Sequence, residues 1–325
     1  MPSPKQLVID TRLSQVSVDY KNDDYIAEQV LPTLLVPKQH GKILENDMSA
    51  LQPDANGDDK IGMGQRPGIV KAEFQDDMYG TFERAKGVTI HDDEVDADNA
   101  EGAPYEVKVT KTNLVTERLL LNREVRVAAI CAGVTGTSSP GTKWDQANST
   151  PLTNINAAKF AVKNKIGKRP NYAIVPWEVM EFLKQNADVK SFITGGSTTL
   201  VPGVLNIEAF KLIFGVENIL VPASSQLAGA MSGAFKSGTL SSVWSDNVTL
   251  FWRPNAPMRQ APAFGYTYVW QNAFRGAARS TNGQVITQDY ETRERTLYLD
   301  ARTYSDERKL IDGAAYTLTN VLNSL

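Results

Sequence analysis

Asn22-Asp23-Asp24-Tyr25-Ile26-Ala27-Glu28-Gln29-Val30-Leu31-Pro32, followed by Val36-Pro37-Lys38-Gln39-His40-Gly41-Lys42, decides how the rest of this chain is read. The pattern predicts one short helix, a break at Pro32 and an extended polar arm. A lone helix of this length is not stable in water. Tyr25, Ile26, Val30 and Leu31 must therefore rest on another part of the chain or on a second copy of it, and on the sequence both are open.

Working outward, residues 1–60 form an arm with one helix in it, and Pro53 to Asp59 is a solvated turn. Residues 61–100 hold short β-type runs, such as Gly68-Ile69-Val70 and Lys86-Gly87-Val88-Thr89-Ile90, separated by glycines and charges. No core can be built from them, so they predict a projecting β-hairpin. From Tyr105 to Ala132 the period turns helical, with Val107, Leu114, Leu121, Val125 and Ala128 on one stripe. Glu117, Arg118, Arg123, Glu124 and Arg126 fill much of the rest. This predicts a rod of roughly 40 Å, with Pro104 in its first turn and Gly133 at its end. A Gly, Ser and Thr-rich loop follows, to 149.

An α/β texture comes next. Helices are expected over 152–166, after Pro176, and around Ile207 to Ile213. Strands are expected at Asn171–Val175, Asn218–Val221 and Val248–Trp252. Phe264 to Trp270 alternates Tyr266, Tyr268 and Trp270 on one face. Val285 to Tyr304 reads as one long, partly solvated strand, and Ala314 to Leu322 as a last strand returning to the α/β unit. The fold class predicted is α+β, with much surface for little core.

Chemistry is sparse. The chain carries 34 Lys and Arg against 37 Asp and Glu, mixed along its length, which argues against a dedicated nucleic-acid binder. Cys131, the single cysteine, excludes an intrachain disulfide and lies in an apolar run that suits a buried thiol. No apolar run is long enough to span a bilayer, so no membrane partner is expected. Met1 to Lys5 lacks the apolar segment of a signal peptide, so a cytoplasmic protein is expected. His40 and His91 are far apart, and no zinc spacing exists. The acidic run Asp92 to Asp98 could bind a hard cation, but reads better as a solvated loop. Asp54, Asn56 and Asp58 imitate a calcium loop without its glycine and glutamate. Gly62 to Gly68 lacks the setting of a dinucleotide fingerprint. Lys71 and Lys86 are ordinary solvated amines. No catalytic residue, cofactor or metal is expected, and the chain is read as a structural protein rather than an enzyme. A metal-dependent hydrolase using Asp92 to Asp98 is the rival from another class.

The ordering of these segments resembles the tailed-phage major capsid proteins of the HK97-like fold. The arm at Asn22 to Lys42 is similar to that family's N-arm. Asp96-Ala97-Asp98-Asn99-Ala100, followed by Leu114 to Ala128, looks like the join of the E-loop to the spine helix. Trp144-Asp145, Pro151-Leu152 and Gly167-Lys168-Arg169-Pro170-Asn171 look like the opening of the axial domain. The resemblance implies an N-arm (1–60), an E-loop (61–100), a peripheral domain (101–149 and 261–308) and an axial domain (150–260 and 309–325). It implies hexamers and pentamers of this chain in an icosahedral shell around double-stranded DNA, with a portal, and a separate scaffold or decoration protein as further partners. The expected location is the virion, after assembly in a host cytoplasm. An encapsulin-type cellular shell is the alternative within the fold. The partner asparagine and assisting glutamate of the family's isopeptide cross-link find no match, so none is expected. The subunit-interface candidates are Tyr25, Ile26, Val30, Leu31, Lys38, Lys42, Lys71, Lys86 and Trp144. In this view Tyr25, Ile26, Val30 and Leu31 lie on another copy, and Lys38 to Lys42 crosses between subunits.

Overall fold

The computed structural model describes residues 8–45, 63–64, 66, 75–100, 106–194, 206–227, 240–256, 263–274 and 283–323. Its helices are α1 (Thr11–Asp19), α2 (Ala27–Val30), α3 (Asp92–Ala100), α4 (Glu106–Ala132), α5 (Pro151–Ile166), α6 (Trp177–Gln185), α7 (Ala187–Thr194) and α8 (Ile207–Phe214). The first eight strands are β1 (Val8–Ile9), β2 (Thr33–Val36), β3 (His40–Glu45), β4 (Gln75–Gly80), β5 (Phe82–His91), β6 (Thr137–Ser138), β7 (Tyr172–Ile174) and β8 (Asn218–Leu220). The remainder are β9 (Ser225–Leu227), β10 (Leu240–Ser242), β11 (Val248–Phe251), β12 (Gly265–Trp270), β13 (Gln284–Glu291), β14 (Thr296–Lys309) and β15 (Ala315–Leu318).

Two sheets organise these elements. The larger runs β1-β13-β14-β12-β2, with β5 also paired to β14. All its pairings are antiparallel except β12 with β2. The smaller runs β6-β15-β11-β7-β8. α4 lies across β5 and β14. It buries Thr112, Val115, Thr116, Leu119, Glu124, Val127, Ala128 and Cys131, two stretches in helical steps joined by a step of five between Leu119 and Glu124. This differs from the stripe chosen on the sequence: Leu114 is 59% exposed. Apolar residues stand nearly all round this helix, so tertiary contact, not periodicity, selects the inward face.

Four further readings change. A helix, α1, precedes the expected one, capped by the Asp10 carboxylate, which accepts from the amides of Arg12 and Leu13 at 2.9 and 3.0 Å. The acidic run read as a loop is α3, its first three residues all acidic and suited to a helix N-terminus. α7 was not foreseen. Val285 to Tyr304 is two strands, β13 and β14, that pair from Gln284↔Thr303 to Glu291↔Thr296. Their turn places Arg295 at φ 47°, a position without the glycine or asparagine that announces such turns.

The α/β unit follows its caps. Pro151 opens α5 and Gly167 closes it at φ 70°; Gly215 closes α8 at φ 61°. α5, α6 and α8 pack Ile155, Val179, Leu183 and Phe210 over Ala173 and Leu250 of the smaller sheet. A second cluster joins α2, the C-terminal half of α4 and the smaller sheet through Val30, Leu31, Val127, Cys131, Phe251 and Phe264. Among the described residues, no helix is long and apolar enough to cross a membrane.

Candidate functional site: the arm seated on the long helix

The arm is seated on its own subunit. Ile26, Val30 and Leu31 are 3%, 0% and 0% exposed, packed in the cluster with Val127, Ala128 and Cys131 of α4. This corrects the expectation that these three rest on a second copy: α4 of the same chain supplies an apolar surface and the polar anchors as well. Tyr25 is half-buried, and its hydroxyl donates to Glu117 Oε1.

Three side chains of α4 hold the arm in order. Glu117 accepts from Tyr20 at 2.8 Å, Asn22 at 3.1 Å and Tyr25. Glu124 is fully buried, and its carboxylate accepts from the Ile26 amide (3.1 Å), the Ala27 amide (2.8 Å) and Trp244 Nε1 (2.7 Å). These are two orphan amides at the start of α2, which has no side-chain cap of its own. Burial raises the Glu124 pKa, against the three donors and the Arg123 charge, which lower it. Arg123 donates to Thr267 Oγ1 at 3.2 Å and reaches Thr33 Oγ1 at 3.4 Å, where the arm turns at Pro32 into β2. Thr267 Oγ1 donates in turn to the Leu31 carbonyl at 3.0 Å. Gly265 makes room for this seat: a Cβ there would stand 2.3 Å from the Arg308 carbonyl and 2.8 Å from Leu31 Cδ2.

The sequence counted Glu117, Arg123 and Glu124 among the charges that fill the rest of the helix. Glu124 carries one signal that could have corrected this: it lies within Leu119 to Cys131, where apolar residues surround it on the helix.

Below the arm, the large sheet is tied to α4 by Glu307 of β14. Its carboxylate receives Arg126 at 2.7 Å and Arg84 of β5 at 3.1 Å. Burial alone would raise its pKa, but the Arg126 hydrogen bond and the charges of Arg126, Arg84 and Arg123 hold it below the ordinary range.

The remaining candidates lie apart. Lys38 and Lys42 are exposed, but the stretch read as the arm's tail leads into β3, which pairs with β4 from His40↔Gly80 to Glu45↔Gln75. The projecting hairpin thus starts at His40, earlier than the sequence suggested. Its root is fixed by Ile43 and Tyr79, which join Val36, Tyr266 and Tyr268 in one cluster, with the Tyr79 and Tyr268 rings stacked at 4.9 Å. Lys86 is exposed on β5. Lys71 lies outside the described residues. Trp144 is 2% exposed and packs in the α/β core, so it offers no face to a neighbour in place of that core. Among the described residues, no group of three or more His, Cys, Asp or Glu could hold a metal ion.

An arm seated on a long helix, a hairpin rooted on the large sheet, and an α/β unit joined to a strand-rich base make up the HK97-like capsid fold. No family model matches the chain. The major capsid protein of Burkholderia phage BcepMu is 23% identical over 291 residues, 81% of this chain and 84% of its own length. That of Pseudomonas phage JBD67 is 25% identical over 284 residues, 84% of this chain and 87% of its own. A phage-related protein from Bordetella bronchiseptica superposes with a TM-score of 0.72 at 18% identity, over 98% of this chain and 99% of that one. The capsid of Myoviridae phage XM1 gives 0.51 at 9% identity, over 97% and 99%. The chain is a capsid shell protein of the phage major capsid type, a component of a virion.

Proposed function

We propose that this chain is the major head protein of a tailed double-stranded DNA phage and closes into an icosahedral shell of hexamers and pentamers. Residues 150–260 with 309–325 act as the axial domain around each capsomer axis. Residues 101–149 with 261–308 act as the peripheral domain. The hairpin that leaves through β3 and returns through β4 reaches over a neighbouring subunit. The packaged DNA lies against the shell without sequence-specific contacts, and a portal and a separate scaffold or decoration protein complete the head. Assembly takes place in the host cytoplasm, and the chain performs no catalysis.

The observation that supports this most is the continuity of the match: the chain aligns over more than four fifths of two phage major capsid proteins. Each contact between subunits can be modest, because every subunit touches several neighbours and closure makes the contacts act together. Negative-stain microscopy of the expressed protein is the test. Closed angular shells are expected. Tubes or monomers at every concentration would overturn the reading, and shells filled with a host enzyme in place of DNA would favour a cellular compartment.

A further inference from the structure

The axial unit presents two surfaces of opposite character at the two ends of one helix, α5. At its start is a cleft of about 780 Å³ lined by Trp144, Asp145, Asn148, Phe182, Gln185 and Asp188. No lysine or arginine lines it. Two polar atoms of its lining residues, the Trp144 indole N–H and Asp145 Oδ1, have no partner and are themselves buried, while Asp145 as a whole is half-buried. Asp145 Oδ2 accepts from the Asn323 amide at 3.2 Å, and Asp188 Oδ2 from the Leu152 amide at 3.3 Å. Phe182 is 38% exposed and leaves an aromatic face on the cleft wall.

At the other end of α5 are Lys163, Lys165, Lys168 and Arg169, all exposed. None forms an ion pair among the described residues, and Lys168 rests over the Trp252 ring at 4.3 Å. Favourable charge at a helix C-terminus accounts for Lys163 and Lys165. Lys168 and Arg169 lie past the Gly167 cap, where this argument ends. The last turn also leaves backbone carbonyls without intrahelical donors. One end therefore offers carboxylates and an aromatic face. The other offers cations and carbonyls. At 16 residues, α5 holds them about 24 Å apart, too far for one chain to join them.

We propose that the turn at Lys168 and Arg169 of one subunit seats in the Trp144–Asp188 cleft of the next. Arg169 pairs with Asp145 and lies over Phe182. This rests on the shell reading and specifies one contact within it: a head-to-tail interface, the type that closes a ring by rotation. Charge complementarity selects a second copy over nucleic acid, because the unpaired acids sit on the same rigid unit as the unpaired bases.

The test uses the full chain. Gln185→Cys with Arg169→Cys, oxidised after assembly, is expected to give a ladder of disulfide-linked subunits, since native Cys131 is buried. Monomer alone, from shells that form, would overturn the proposal while leaving the shell reading intact. Absence of shells from the unmodified chain would instead overturn the shell reading. Charge exchange gives a second readout. Arg169→Asp and Asp145→Arg should each slow assembly by about tenfold or more, and the two together should restore it. A double variant no better than either single one would count against the contact. Arg169→Asp shells that form at the normal rate but retain less DNA would assign the turn to phosphate and overturn the proposal.

Discussion

Glu124 Oε2 accepts the Ala27 amide at 2.8 Å, so the first free N–H groups of α2 are closed by a carboxylate from another helix. The arm is thereby fixed at a defined residue. Replacement by alanine strands two amides and the Trp244 N–H in a dry site. Each stranded donor costs about 1–3 kcal/mol, so Glu124→Ala should lower subunit stability by several kcal/mol in denaturant unfolding. Glu124→Gln keeps one acceptor but turns an amide N–H₂ toward a donor, and should lose about 1–3 kcal/mol. An unchanged midpoint for Glu124→Ala would show that the arm is held by other means.

The two buried glutamates respond to pH with opposite sign. Glu307 is held below its ordinary value near 4.5 by Arg126, Arg84 and Arg123. It adds stability above that value and loses it as pH falls through the folded-state pKa. Glu124 is raised by burial, so the folded state binds its proton more tightly; its contribution falls as pH rises from 4.5 through the raised value. Glu307→Gln should therefore flatten the loss of stability on acidification below about 4.5, whereas Glu124→Gln should remove a decline above it. Unfolding midpoints across a pH series separate the two.

Deletion of residues 1–45 should prevent the subunit from folding, rather than leave a folded subunit that fails to assemble. Val30 and Leu31 fill the core between α4 and the smaller sheet, and a single large-to-small change there costs about 2–5 kcal/mol. Circular dichroism and gel filtration of the truncated chain check this. A monomer with native secondary structure would contradict it.

Gly265→Ala should disturb the β12–β14 pairing and the arm seat together, because its Cβ would meet backbone on one side and Leu31 on the other. Amide exchange should quicken at both Leu31 and Lys309. Faster exchange at Lys309 alone would separate the two.

Much of the architecture was legible in local signals. The helices expected over 152–166 and around Ile207 to Ile213 are α5 and α8, and the 27-residue helix after residue 105 was plain from its length. The seat of the arm was not, because it depends on pairings between residues about a hundred positions apart. Glu124 is fully buried and Arg118 exposed, and the apolar neighbours of Glu124 on the helix hint at its burial without naming the amides it holds. The β13–β14 turn was missed because Arg295 takes a left-handed conformation that its residue type does not advertise. Trp144 was read as a subunit-interface candidate, but its indole is buried in the α/β core.

The large sheet orders events in time. β1 pairs with Gln288 and Thr287, β2 with Thr267 to Trp270, and β5 with residues 296–305. A ribosome releases the arm and β5 long before their partners exist, and contacts of such separation form late. The sheet is finished only when β14, ending at Lys309, has emerged. A nascent chain therefore has no completed base until β14 has emerged, and the arm and β5 wait unpaired until then.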